Sequence, residues 1–191
     1  MQLLYNNSID DETCSVLADV FRNNKNVRQL YLTNNKIGGE ALKNNHILEL
    51  LALSNNQLNV DGAKAIAAFL KINNTLYNLD FTDNKVGDVG VKALADALSN
   101  NHCLEELYLY DNGISDEGAI AIAAALRINK SLKKLFLDVN NIGDKGAISI
   151  TDALSTNSSL KHLDLDKNFR ISEQTRNNIA STIRADITFV H

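Results

Sequence analysis

The sequence predicts an α/β solenoid: a right-handed β-α horseshoe arc with about seven parallel strands on the concave side and helices on the convex side. Two observations predict it. Asn recurs at Asn7, Asn35, Asn56, Asn84, Asn112, Asn140 and Asn168, at intervals of 28, 21, 28, 28, 28 and 28 residues. Each Asn closes the frame L-x-x-L-x-L-x-x-N-x-I/L/V, as in Leu104-Leu107-Leu109-Asn112-Ile114 and Leu132-Leu135-Leu137-Asn140-Ile142. A fixed period of this length marks stacked copies of one supersecondary unit.

The unit can be read element by element. The L-x-L step has period two, so both Leu side chains point to one face of a short strand. The frame Asn follows in a tight loop, where its amide can satisfy backbone groups that would otherwise be buried unpaired. Gly62, Gly90, Gly118 and Gly146 then open Ala-rich runs that end on Leu70, Leu98, Leu126 and Leu154. Their spacing is helical, with small residues where helix packs close to helix. Asp88, Asp116 and Asp144 stand at the helix starts, where a carboxylate suits exposed N–H groups. A second Asn series, Asn24, Asn45, Asn73, Asn101, Asn129 and Asn157, precedes each strand by a fixed step. It fits helix C-caps in the left-handed conformation that Asn tolerates. One unit cannot bury its apolar stripe alone, so the copies stack. Helices are wider than the strand spacing of roughly 4.8 Å, which curves the stack with its sheet inside.

These frames and the G-x-x-A-L/I-A helix resemble the leucine-rich repeat of the ribonuclease-inhibitor type, over nearly the whole chain. The same type occurs in Ran GTPase-activating proteins, tropomodulins and nucleotide-binding innate-immune receptors. The resemblance implies protein–protein recognition on the concave side and no single activity. Its Ran GTPase-activating members suggest the alternative, a small-GTPase regulator.

The chain departs from the pattern in three places. Gln2 occupies a core Leu position, so the first, truncated repeat is expected to be frayed or exposed. The second repeat is short, with only ten residues between Ile37 and Leu48. The sheet is expected to continue there while the helix row has a notch. The last repeat carries an extra residue in Phe169-Arg170-Ile171, and Asp186–His191 reads as a final strand without a polar cap. That makes it an edge for a longer array or for a dimer through a terminal repeat. All 191 residues are expected to form a single leucine-rich-repeat domain of seven repeats, because a chain without Pro offers no natural linker.

Alternation along the strands identifies the solvent-facing residues. Before the first strand Leu stand Gln29, Leu50, Asn78, Glu106, Lys134 and His162. Between the pair stand Leu3, Tyr31, Ala52, Asp80, Tyr108, Phe136 and Asp164. After it stand Tyr5, Thr33, Ser54, Thr82, Tyr110, Asp138 and Asp166. Four of the five tyrosines lie here, and exposed aromatics on a rigid sheet anchor protein interfaces. With the next position added, seven acids face two lysines. The expected site is therefore a partner-binding patch of Tyr31, Asp80, Glu106, Tyr108, Tyr110, Lys134, Phe136, Asp138, His162 and Asp164. The expected partner is another protein with a basic surface.

Composition excludes other classes. A net charge of -4 argues against nucleic acid, which needs clustered Lys and Arg. No stretch reaches a membrane span, and the N-terminus has no basic n-region ahead of an apolar run. Cys14 and Cys103 lie too far apart to bridge and read as free thiols in a reducing compartment. This points to the cytoplasm, or to a host cytosol if the chain is a microbial effector. The four His residues lack ligand spacing, and no nucleophile–base pair or phosphate loop appears. No cofactor, metal or catalytic residue is expected.

Overall fold

The computed structural model describes residues 1–7, 26–35, 45–184 and 186–190. Its centre is one sheet of eight parallel strands in sequence order. They are β1 (Gln2–Leu3), β2 (Gln29–Tyr31), β3 (Leu50–Ala52), β4 (Asn78–Asp80), β5 (Glu106–Tyr108), β6 (Lys134–Phe136), β7 (His162–Asp164) and β8 (Thr188–Val190). Five helices lie among the described residues: α1 (Asn59–Ile72), α2 (Gly87–Asn100), α3 (Asp116–Ile128), α4 (Asp144–Leu154) and α5 (Glu173–Thr182). The sheet has one strand more than the seven frames, because Thr188–Val190 pairs with β7.

The period-two argument holds strand by strand. Leu30, Leu51, Leu79, Leu107, Leu135 and Leu163 pair in one register row, and all are fully buried. Gln2 occupies the start of that row beside Leu30, and both residues of β1 are exposed, as expected. The row passes from β2 to β3 without a slip, so the short second repeat leaves the sheet intact. The helix-row notch expected within residues 36–44, and Cys14, lie outside the described residues.

The frame Asn residues form a ladder through the loops after the strands. The Asn112 amide donates to Phe81 O at 2.9 Å and Tyr110 O at 3.0 Å, while its Oδ1 accepts from Asn84 N at 3.1 Å. Asn84 and Asn140 repeat the pattern one unit before and after. Each buried amide thus serves loop backbone of its own repeat and of the one before.

The second Asn series also forms a ladder, but not in the conformation expected. Asn73, Asn101 and Asn129 do follow helix ends, yet their backbone is extended, with φ of -83°, -86° and -64°. Their Oδ1 atoms accept from the N–H groups two and three residues on. The Asn101 and Asn129 amides donate to Leu70 O and Leu98 O in the helix one repeat earlier, and the Asn73 amide donates to Asn45 O. A left-handed residue instead stands just before each frame Asn: Asn6, Asn34, Asn55, Asp83, Asp111, Val139 and Lys167; others follow it at Gln57, Asn59, Lys85, Gly87 and Gly113.

The helix-start carboxylates also differ from expectation, because each caps the next helix rather than its own. Asp88 on α2 accepts from Ser115 N at 2.8 Å and Gly118 N at 3.0 Å at the start of α3. Asp116 accepts from Gly143 N and Gly146 N, both at 2.8 Å, before α4. A Cβ on Gly118 would stand 2.7 Å from both Asp88 Oδ1 and Ile114 Cγ2, a space that only glycine leaves free.

In the final repeat an arginine takes over the second Asn ladder, while β8 remains the outer edge of the sheet. Asn157 donates its amide to Leu126 O and Asn129 O. One repeat later, the Arg184 guanidinium reaches the equivalent carbonyls of Leu154 and Asn157, and also Leu160 O. Asp186 balances that charge by pairing with Arg184 at 2.9 Å and Lys161 at 2.5 Å.

Candidate protein-binding surface

Side chains that alternate with the buried Leu row stand on the opposite, concave side. Strand pairing aligns Asn78, Glu106, Lys134 and His162 in one column and Asp80, Tyr108, Phe136 and Asp164 in the next. Neighbours within a column face each other across the strand spacing, and two groups result.

The first group is polar. Glu106 Oε2 accepts from the Asn78 amide at 2.8 Å and from the Tyr108 hydroxyl at 3.0 Å. Its other oxygen pairs with Lys134 Nζ at 2.9 Å. Burial pushes the Glu106 carboxyl up, but Lys134, Tyr108 and Asn78 together outweigh it and hold the group below its ordinary value. For Tyr108, burial and then the Glu106 carboxylate act in the same direction, and the phenol is pushed up to about 12. Glu106 and Lys134 therefore neutralise each other within the surface.

The second group is aromatic. The Tyr108 and Phe136 rings stack with centroids 4.3 Å apart and an interplanar angle of 4°. The His162 ring continues the row at 4.7 Å from Phe136, tilted by 40°. A ring placed between two others presents its edge to solvent, so the three form an apolar ridge across β5, β6 and β7. His162 Nε2 is buried with no hydrogen-bond partner among the described residues.

Carboxylates flank the ridge toward the C-terminal end of the strands. Burial first, and then the charge of Asp164, push the Asp138 carboxyl above its ordinary value. Asp164 accepts from Asp166 N at 2.9 Å, and Lys167 lies 4.0 Å from Asp166. Asp80, on the other flank, accepts from the Ser54 hydroxyl at 2.5 Å and from Thr82 N at 3.0 Å.

The residues named from the sequence thus divide. Asp80, Glu106, Tyr108, Lys134, Phe136, His162 and Asp164 share contiguous columns on β4 to β7, and Asp138 stands two residues past the end of β6. Tyr110 lies just beyond β5 and is exposed, but it takes no part in the ring row. Tyr31 is remote from the group and packs edge-on against Tyr5, centroids 5.9 Å apart. Ala52, expected to face solvent, is buried. Its single methyl does not rise above Tyr31 and Asp80, its register neighbours. Sequence reasoning passed over Asn78 and Ser54 as carboxylate partners; their positions beside Glu106 and Asp80 in the columns were the available signal.

Among the described residues, no cluster of His, Cys, Asp and Glu has the arrangement of a metal site. No helix among them is long and apolar enough to cross a membrane. The Cys103 thiol is free and donates to Asn74 O at 3.0 Å.

Comparison with known proteins bears on the fold. No curated protein matches the chain. A chain of the yeast Rad7–Elc1 complex superposes with a TM-score of 0.67 at 19% identity, covering 97% of this chain and 45% of that one. The Caenorhabditis elegans tropomodulin C-terminal domain gives 0.62 at 12% identity and 93% coverage of both chains. Actin-binding site 2 of leiomodin-1 is 32% identical over 48% of this chain and 53% of its own, with a TM-score of 0.46. This chain spans about half the length of the leiomodin and Rad7–Elc1 chains. A sequence model of the leucine-rich repeat matches residues 23–44, 44–67, 73–95, 100–123 and 129–150. With more than half of its residues in these matches, and with its strands and helices in the same period, the chain belongs to the leucine-rich-repeat family.

Proposed function

We propose that the chain is a protein-interaction scaffold that docks a partner with a basic surface on the concave face of its sheet. The observation that carries this reading is the Tyr108–Phe136–His162 ridge, held on adjacent strands and flanked by Asp80, Asp138 and Asp164. Rigid aromatics supply contact area at small entropic cost, while flanking charge sets encounter rate and orientation. The free thiol of Cys103 suits a cytosolic setting, including a host cytosol.

The test compares the parent with a Tyr108→Ala/Tyr110→Ala/Phe136→Ala variant, both immobilised, for affinity toward a partner captured from extract and then purified. Tyr108→Ala alone is expected to weaken binding by at least about 1–2 kcal/mol, chiefly through faster dissociation. Asp164→Asn is expected to slow association and flatten its salt dependence. Unchanged affinity in a folded triple variant would remove the concave face from the account.

A further inference from the structure

Carboxylates outnumber lysines on the concave face. Lys134 is the basic residue of the ridge columns, and Glu106 holds it at 2.9 Å. Lys167 lies against Asp166, and its charge also acts to lower Asp138, by less than burial and Asp164 raise it. Asp138 and Asp164 have no ion pair among the described residues, although each is half-buried. Asp164 is the register partner of Phe136, and Asp138 follows Phe136 by two residues on the same face. The two carboxylates are therefore diagonal neighbours beside one ring. Burial and the Asp164 charge already make ionised Asp138 unfavourable, which is the situation an arriving cation relieves. The buried Nε2 of His162, with no partner of its own, leaves the polar side of the ridge incomplete as well.

The ring geometry limits what that cation can be. Tyr108 lies against one face of Phe136 and His162 against the other, so no open face remains there for a cation–π contact. Ring edges instead offer an apolar rail for methylenes. Carboxylates on diagonal residues have Cα atoms roughly 8 Å apart, from the strand spacing and a two-residue rise. A compact ammonium reaches one of them well; a planar guanidinium with five donors spans both.

We propose that the docked partner inserts an arginine here, its methylenes along the edges of Phe136 and His162 and its guanidinium bridging Asp138 and Asp164. This rests on the concave face being the docking surface, and it names the chemistry of one subsite on it. The arginine side chain snorkels: its apolar stem covers the rings while its charged head meets the carboxylates.

The probe is the tripeptide acetyl-Gly-Arg-Gly-amide, titrated into isotope-labelled full-length protein and followed by amide chemical shifts. Its citrulline counterpart keeps the shape without the charge, and its lysine counterpart keeps the charge without the fork. The arginine peptide is expected to shift the amides of residues 136–139 and 162–166 saturably. The lysine peptide is expected to bind several-fold more weakly, and the citrulline peptide not at all. In an Asp138→Asn/Asp164→Asn variant the arginine peptide is expected to lose roughly tenfold in affinity, the scale of a charge-assisted pair. That variant is expected to melt no lower than the parent, because it removes two crowded carboxylates. Absence of saturable shifts, equal binding of arginine and citrulline peptides, or unchanged affinity in the double variant overturns the proposal. Shifts spread over convex acids such as Asp61 and Asp96 also overturn it. If the tripeptide fails while partner affinity still depends on Tyr108 and Phe136, the subsite falls and the docking surface stands. If the tripeptide binds while the aromatic variant keeps full partner affinity, the docking surface falls instead.

Discussion

Single residues decide whether the loops of this solenoid hold. Asn112 donates to two carbonyls and accepts from Asn84 N in a site that water does not enter. Asn112→Ala leaves those groups unpaired and is expected to cost on the order of 1–3 kcal/mol in denaturant unfolding. Equal midpoints for variant and parent would contradict the ladder. Val139 is the opposite case. It has φ of 55°, where five other repeats place Asn or Asp, and a branched Cβ crowds the backbone there. Val139→Asn keeps the conformation and is expected to gain about 1 kcal/mol by the same measurement. The frame Asn was legible because one residue type recurs in one place. The left-handed position was only partly legible: Asn6, Asn34, Asn55, Asp83 and Asp111 suit it, but Val139 and Lys167 break the series.

Between elements, the informative contact is the carboxylate of one helix on the N-terminus of the next. Burial acts to raise Asp88, but bonds from the Ser115 hydroxyl, Ser115 N and Gly118 N outweigh it and leave the group below its ordinary value of 3.8. A depressed carboxylate stabilises the fold above its unfolded pKa, and that contribution disappears as pH falls through the folded value. Asp88→Ala is therefore expected to cost on the order of 1 kcal/mol at neutral pH, as for a lost helix cap. The gap between variant and parent is expected to close below pH 3.8. A gap that stays constant with pH would assign the loss to packing instead. The sequence placed Asp88, Asp116 and Asp144 at helix starts correctly. Which helix each one serves depends on how adjacent repeats are offset, and that offset is a property of the stack rather than of any single repeat.

At the scale of the molecule, stability passes from neighbour to neighbour, so the end repeats matter most. Arg184 closes the second Asn ladder by bonding the carbonyls that an Asn serves elsewhere. Arg184→Ala is expected to speed hydrogen exchange across α5 and β8 while leaving α2 and α3 unchanged. Uniform protection in the variant would show that the ladder ends without it. The strand register was readable from β2 to β7 because a period of two fixes which residues share a face, and pairing aligned those columns as the frames require. The ring row was only half readable. Tyr108 and Phe136 were chosen for their exposure, but stacking depends on side-chain rotation, which no frame encodes. The central claim is that partners dock on this ridge, and hydroxyl-radical footprinting of a partner complex tests it most directly. Tyr108, Tyr110, Phe136 and His162 are expected to lose reactivity on binding, while Ile72, Val89 and Ile128 on the helices keep theirs. Protection confined to the helix residues, with the ridge as reactive as in the free protein, would contradict the claim.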